Sequence, residues 1–144
     1  MSEANLRRTF REYMSPFGVL HRVENKLGGG TPDAAFCLTH PAMRVARSGW
    51  VEFKHVEDWP KRATTPFRIK SLTREQADFL YGWVDAGGRA FLLIRVADTL
   101  FLHSGRRAPE IFDGVGVERF LTSREAGWPA RPFPTGGLLR CLAG

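Results

Sequence analysis

From Arg89 to Ala97 the chain reads Arg-Ala-Phe-Leu-Leu-Ile-Arg-Val-Ala, apolar at almost every position. A strand with one wet face alternates between apolar and polar residues. A strand this continuously apolar has to be covered on both faces. The segment therefore predicts a central strand lying between layers. With 144 residues, 43% of them hydrophobic, a single domain can bury roughly 70% of its unfolded surface, so the core needs no disulfide staple.

The remaining elements follow from periodicity and punctuation. Leu6, Phe10, Tyr13 and Met14 recur at helical spacing and predict a helix over residues 3–14, ended by Ser15-Pro16. Val19 to Asn25 reads as a strand, and Gly28-Gly29-Gly30 permits a sharp turn after it. Ala34 to Thr39 is a short apolar run, read as a buried strand, and Trp50 to Val56 alternates. Residues 57–70 hold two prolines and four basic residues and read as a long loop. Thr73 to Ala86 is the strongest helix, with capping-box spacing at Thr73-x-x-Gln76 and a stop at Gly87-Gly88. Thr99 to His103 is expected to pair as a hairpin with the apolar strand before it. The order αβββαββ describes an α/β domain with a mixed sheet flanked by helices. That domain is expected to occupy residues 1–126. Residues 127–144 contain Pro129, Pro132, Pro134 and Gly136-Gly137 and read as an extended, partly disordered tail.

Composition excludes several classes. The longest apolar run is far too short to span a bilayer, and the first residues contain no apolar stretch of signal-peptide type. Two cysteines, Cys37 and Cys141, form neither a disulfide framework nor a Cys-x-x-Cys site, so free thiols in a reducing cytoplasm are expected. Cys37, in an apolar strand, reads as core. Four histidines show no His-x-x-x-His spacing, which argues against zinc. No Gly-x-Gly-x-x-Gly or P-loop is present, so no organic cofactor is expected. The 21 Lys and Arg against 15 Asp and Glu give a net charge of +6, which favours phosphate-bearing partners.

Candidate chemistry concentrates in Gly30-Thr31-Pro32-Asp33 and in Trp50-Val51-Glu52-Phe53-Lys54. Alternation puts Glu52 and Lys54 on one face of a strand and Val51 and Phe53 on the other. The second face can bury while the first projects a carboxylate and an ammonium together. Asp33 sits where a glycine turn feeds the preceding strand, so on neighbouring strands Asp33 and Glu52 can approach each other. Two close carboxylates repel unless a cation lies between them, and their hard oxygens suit Mg²⁺ or Mn²⁺. The adjacent lysine would offset charge on a bound water or an attacked phosphate.

Pro32-Asp33, an apolar strand and Glu52-Phe53-Lys54 together resemble the PD-(D/E)xK nuclease superfamily, with its restriction-endonuclease-like fold. The sequence is most similar to small phage-type VRR-NUC and Holliday-junction-resolvase-like members. Those join a Gly-rich turn before Pro-Asp to a Glu-x-Lys strand, a helix carrying Gln and a Gly-Gly before an apolar strand. Here these pieces read Gly28-Gly29-Gly30-Thr31-Pro32-Asp33, Glu52-Phe53-Lys54, Arg74-Glu75-Gln76 and Gly87-Gly88-Arg89-Ala90-Phe91-Leu92-Leu93-Ile94. The resemblance spans about residues 5–103 and leaves the last third unmatched. It implies Asp33 and Glu52 as ligands of Mg²⁺, with Mn²⁺ as a substitute and the Phe53 carbonyl as a third donor. Lys54 would orient water or stabilise the transition state, and Gln76 would sit near the site. Many members use an earlier glutamate, for which Glu24 is preferred over Glu12. The resemblance further implies a homodimer acting on DNA in the cytoplasm, that of a bacterial host if the chain is phage-encoded.

Each residue also has a plainer reading. Asp33 could cap its own turn, Glu52 and Lys54 could be a solvated ion pair, and Gln76 is explained by its capping box alone. Glu12 is placed to pair with Arg8 one helical turn away. Phe79 and Trp83, at helical spacing, read as core. The basic residues Lys61, Arg62, Arg68, Lys70 and Arg74 could grip DNA phosphates, and Trp59 and Phe67 among them could wedge a duplex or pack the loop down. The leading expectation is a Mg²⁺-dependent endonuclease, selective for branched or nicked DNA rather than for sequence, bound mainly through phosphates. The alternative is a non-catalytic nucleic-acid-binding or assembly subunit on a similar scaffold.

Overall fold

The computed structural model describes residues 2–24 and 29–144. Asn25 and Gly28, read above as strand end and turn, lie outside the described residues. Helix α1 (Glu3–Met14) is N-capped by Ser2 and leads through a 3-10 turn (Ser15–Phe17) into β1 (Gly18–Arg22). Strands β2 (Ala34–Thr39) and β3 (Ala46–Val56) follow, then α2 (Arg74–Asp85), β4 (Ala90–Val96) and β5 (Thr99–Ser104). Beyond them come α3 (Ala108–Asp113), α4 (Val117–Thr122), β6 (Ala126–Pro129) and α5 (Thr135–Ala143). The six strands form one mixed sheet in sequence order, antiparallel throughout except for the parallel pair β3–β4. A parallel pair needs a crossover, and α2 supplies it.

The centre of the sheet is buried between two layers, which accounts for the unbroken apolar run in β4. Phe91 and Leu93 face α1 and α5, while Ala90, Leu92, Ile94 and Val96 face α2, α3 and the packed loop before α2. The 57–70 loop has no helix or strand of its own, yet Phe67 is 1% exposed and Trp59 packs against Phe67, Phe101 and Phe120. These rings anchor the loop to the core rather than standing out from it.

Three expectations are corrected. The segment read as an extended tail forms β6 and α5, and Leu138, Leu139 and Leu142 enter the core beneath the sheet. Its prolines and glycines fill the connection and the first turn of α5, where they break nothing. Cys37 is exposed, because β2 turns Ala34, Phe36 and Leu38 inward and Cys37 to the opposite, uncovered face. Trp83 is also exposed. It stacks on Phe79 and meets Trp50 edge-on at an open part of that face, while Ala77 and Leu80 are the buried residues of α2.

Candidate functional site

Strand lengths create the site. β2 has six residues and β3 eleven, paired in antiparallel register from Thr39–Ala46 to Ala34–Val51. Past Val51, β3 continues against β4 on one side and has lost β2 on the other. Asp33, one residue before β2, stands opposite Glu52 on this opened edge. Its backbone N–H donates to Glu52 Oε2 (3.2 Å), and the Phe53 N–H donates to Asp33 Oδ2 (2.9 Å). Side-chain bonds thus replace the missing ladder. An extended residue turns its N–H and C=O to the same side, so the Phe53 carbonyl faces this edge too.

Gly30 sets the approach to Asp33. Its φ is +103°, and a Cβ there would meet the Glu75 carbonyl oxygen of α2 at 2.8 Å, so glycine is required on both counts. The turn is thereby seated against the first turn of α2.

Glu52 and Lys54 share a face as the alternation requires, but that face is not solvated. Glu52 is 1% and Lys54 3% exposed, covered from the α2 side. Their charges are 3.8 Å apart, and Lys54 Nζ donates to the Ser71 carbonyl at 2.8 Å. Glu52 Oε1 is buried and accepts no hydrogen bond among the described residues. Burial pushes the Glu52 carboxyl up from an ordinary 4.5 to about 9. The Asp33 carboxylate adds to the shift by hydrogen bond and by charge, and Lys54 opposes it. Lys54 and Arg7 stand 3.8 and 3.5 Å from the two carboxylates but leave Glu52 Oε1 without a hydrogen bond, and either a proton or a cation can satisfy it.

Helix α1 contributes residues that sequence reading passed over. Arg7 pairs with Asp33 Oδ1 at 3.5 Å, and Glu3 Oε1 accepts from Ser71 Oγ at 2.6 Å. Glu3 and Arg7 lie one turn apart, a spacing that normally suggests a pair with each other. In the structure they reach separate partners, one on each side of the opened edge.

The other expected residues are distributed more widely. Glu24 is exposed just beyond β1 and pairs with Arg22 at 3.1 Å. Glu12 is exposed on α1, and its expected pair with Arg8 does not form. Gln76 builds the capping box: its N–H donates to Thr73 Oγ1 (3.1 Å) and its Oε1 accepts from the Thr73 N–H (3.0 Å). Lys61, Arg62 and Lys70 are exposed. Arg68 donates to the Asp113 carbonyl and ties the loop to α3, and Arg74 at the start of α2 pairs with the Asp113 carboxylate while lying over the Phe112 ring.

Scanned against protein-family models the chain matches none, and no curated protein matches it significantly. Among the described residues no three or more His, Cys, Asp or Glu side chains gather as a metal-binding group. Asp33 and Glu52 nevertheless suit a hard cation. They place two carboxylates and a backbone carbonyl on one edge, with one carboxylate oxygen unsatisfied. Mg²⁺ is commonly held by one or two carboxylates and completes its shell with water and substrate phosphate.

Proposed function

We propose that the protein is a divalent-metal-dependent endodeoxyribonuclease built on a restriction-endonuclease-like core. The observation that carries this reading is the buried, unsatisfied Glu52 Oε1 beside Asp33, with the Lys54 ammonium 3.8 Å away. An acid and an amine are costly to bury, as Glu52 and Lys54 are here, and a purely structural role would be served as well by apolar residues. The strand order, with the acids where β2 and β3 part and a helix crossing over to a parallel β4, supports the same reading.

Asp33, Glu52 and the Phe53 carbonyl would hold Mg²⁺ or Mn²⁺. Bound there, the ion would polarise the scissile phosphate and lower the pKa of a coordinated water. Lys54, fixed by the Ser71 carbonyl, presents a stationary positive charge to the phosphate, where it offsets charge that develops during attack. Arg7 holds Asp33 in place from α1. Phosphate contacts dominate binding, which fits selection by DNA structure, and a chain this small would cut both strands as a homodimer.

The test is cleavage of linear duplex, single strand, flap and four-way junction with Mg²⁺ or with EDTA, comparing wild type with Asp33→Asn, Glu52→Gln and Lys54→Ala. Cutting is expected with Mg²⁺ and not with EDTA, and each variant should cut slower by about 100-fold or more while still folded. Normal cutting by both Glu52→Gln and Lys54→Ala would overturn the site. Tight DNA binding by wild type without cutting in any metal would favour a non-catalytic binding subunit instead.

A further inference from the structure

A cleft of about 340 Å³ opens between α1 and the β1–β2 edge, on the face of the sheet opposite α2. Arg7, Arg8, Arg11 and Arg22 line it, over a floor that includes Leu20 and Phe53. Sheet register explains the convergence. Leu20 pairs with Phe36 and Arg22 with Ala34, so both project toward α1 on the face that Ala34 and Phe53 share. Arg7 and Arg11 lie one turn apart, about 6 Å along the helix axis.

The charges in the cleft are not balanced. Arg7 is paired with Asp33 and Arg22 with Glu24. Arg11 reaches the Leu20 carbonyl at 3.4 Å, a neutral partner. The Arg8 side chain makes no hydrogen bond or ion pair among the described residues. Four guanidinium groups around one concavity, two without a carboxylate, suit an anion, and the planar fork of arginine matches phosphate in particular. Through Arg7 the cleft adjoins Asp33, and Phe53 belongs to both its floor and the acid edge. Arg68 of the basic loop and Arg74 of α2 are engaged by Asp113, while Lys61, Arg62 and Lys70 stay exposed, so the loop is the competing surface in the test.

We propose that this cleft is the track for the phosphodiester strand entering the Asp33–Glu52 edge, with arginines on the phosphates and the apolar floor under sugar and base. The assignment rests on the nuclease reading for its direction but makes its own prediction about binding. Binding of a labelled single-stranded DNA oligonucleotide is measured by fluorescence anisotropy in EDTA, across a salt series. The proteins compared are wild type, Arg8→Gln/Arg22→Gln and Lys61→Gln/Arg62→Gln, each checked for folding by circular dichroism.

The Arg8/Arg22 variant should lose affinity by about 10-fold or more, and its log K against log salt slope should fall by about 2. The loop variant should lose less. Wild-type affinity in the Arg8/Arg22 variant, an equal or larger loss in the loop variant, or no oligonucleotide binding by wild type would each overturn the track. So would displacement by inorganic phosphate or a mononucleotide as effective as displacement by unlabelled oligonucleotide, because the cleft would then serve a free phosphate compound. Arginine-dependent binding by a wild type that never cuts would keep the track and sink the nuclease. Cutting by wild type with Arg8/Arg22 binding unchanged would do the reverse.

Discussion

Lys54 is as buried as the leucines around it, and its ammonium is held between one carboxylate and one carbonyl. Beside it, Glu52 carries the largest perturbation at the site. Its carboxyl is held near 9 against 4.5 in an unfolded chain, so between those values the native state keeps a proton that the unfolded state has lost. Stability from this group is full below pH 4.5 and falls as pH rises toward 9, by up to about 1.4 kcal/mol per pH unit. Metal-free thermal melts should show this decline, and Glu52→Gln should flatten it. On the proposed function a divalent cation would compete with the same proton, so Mg²⁺ should raise the melting temperature more at pH 8.5 than at pH 6. A Mg²⁺ effect independent of pH, or equal in Glu52→Gln, would remove the ion from this pair.

His103 gives the opposite slope from the same face of the sheet, two strands away from Glu52. It is fully buried against Phe120, neither ring nitrogen has a hydrogen bond among the described residues, and burial, reinforced by the charges of Arg107 and Arg124, lowers its pKa to about 4. The unfolded chain takes up its proton near 6.5, so stability should fall as pH drops from about 6.5 to 4. His103→Phe should reduce that acid sensitivity in the same melts.

Among the elements, α5 is the one whose importance composition conceals. Leu138 and Leu142 are wholly buried against the sheet, and the C-terminal carbonyls of Cys141 and Leu142 accept from Arg89 at 2.8 and 3.0 Å. Leu138→Ala should cost about 2–5 kcal/mol in urea unfolding, whereas a disordered tail would lose nothing. Helix α2 offers a sharper separation of roles. Thr73→Ala and Gln76→Ala each dismantle the capping box and should cost about 0.5–2 kcal/mol. If Gln76 acts as a cap alone, the two variants will cut DNA equally well. A further loss of cutting confined to Gln76→Ala would mark it as a positioning residue.

At the scale of the whole molecule, the net charge of +6 is spread unevenly. Arg68 of the basic loop and Arg74 of α2 are engaged by α3, while the α1 cleft keeps unpaired charge next to the acid edge. If the protein acts on DNA as proposed, the attraction should be screened by salt. The half-saturating DNA concentration for cutting is expected to rise steeply between 50 and 200 mM salt, with turnover changing less. Among the described residues no helix is long and apolar enough to cross a membrane.

Local pattern alone determined the order of elements through β5, the burial of β4, the capping box and the shared face of Glu52 and Lys54. The capping box and the shared face depend on contacts a few residues apart, and the burial of β4 is announced by its unbroken apolar run, so periodicity and turn chemistry suffice for them. It also allowed Asp33 to meet Glu52, because a short hairpin leaves few registers. What it could not determine was how the pieces cover one another. Burial of Glu52 and Lys54 depends on α2 and the packed loop, and the partners of Glu3 and Arg7 depend on where α1 lands. The place of α5 depends on a gap under the sheet that its own prolines and glycines do not announce. Exposure of Cys37 and Trp83 depends on which part of a face stays uncovered. Those outcomes belong to contacts between residues far apart in sequence, and only the assembled layers decide them.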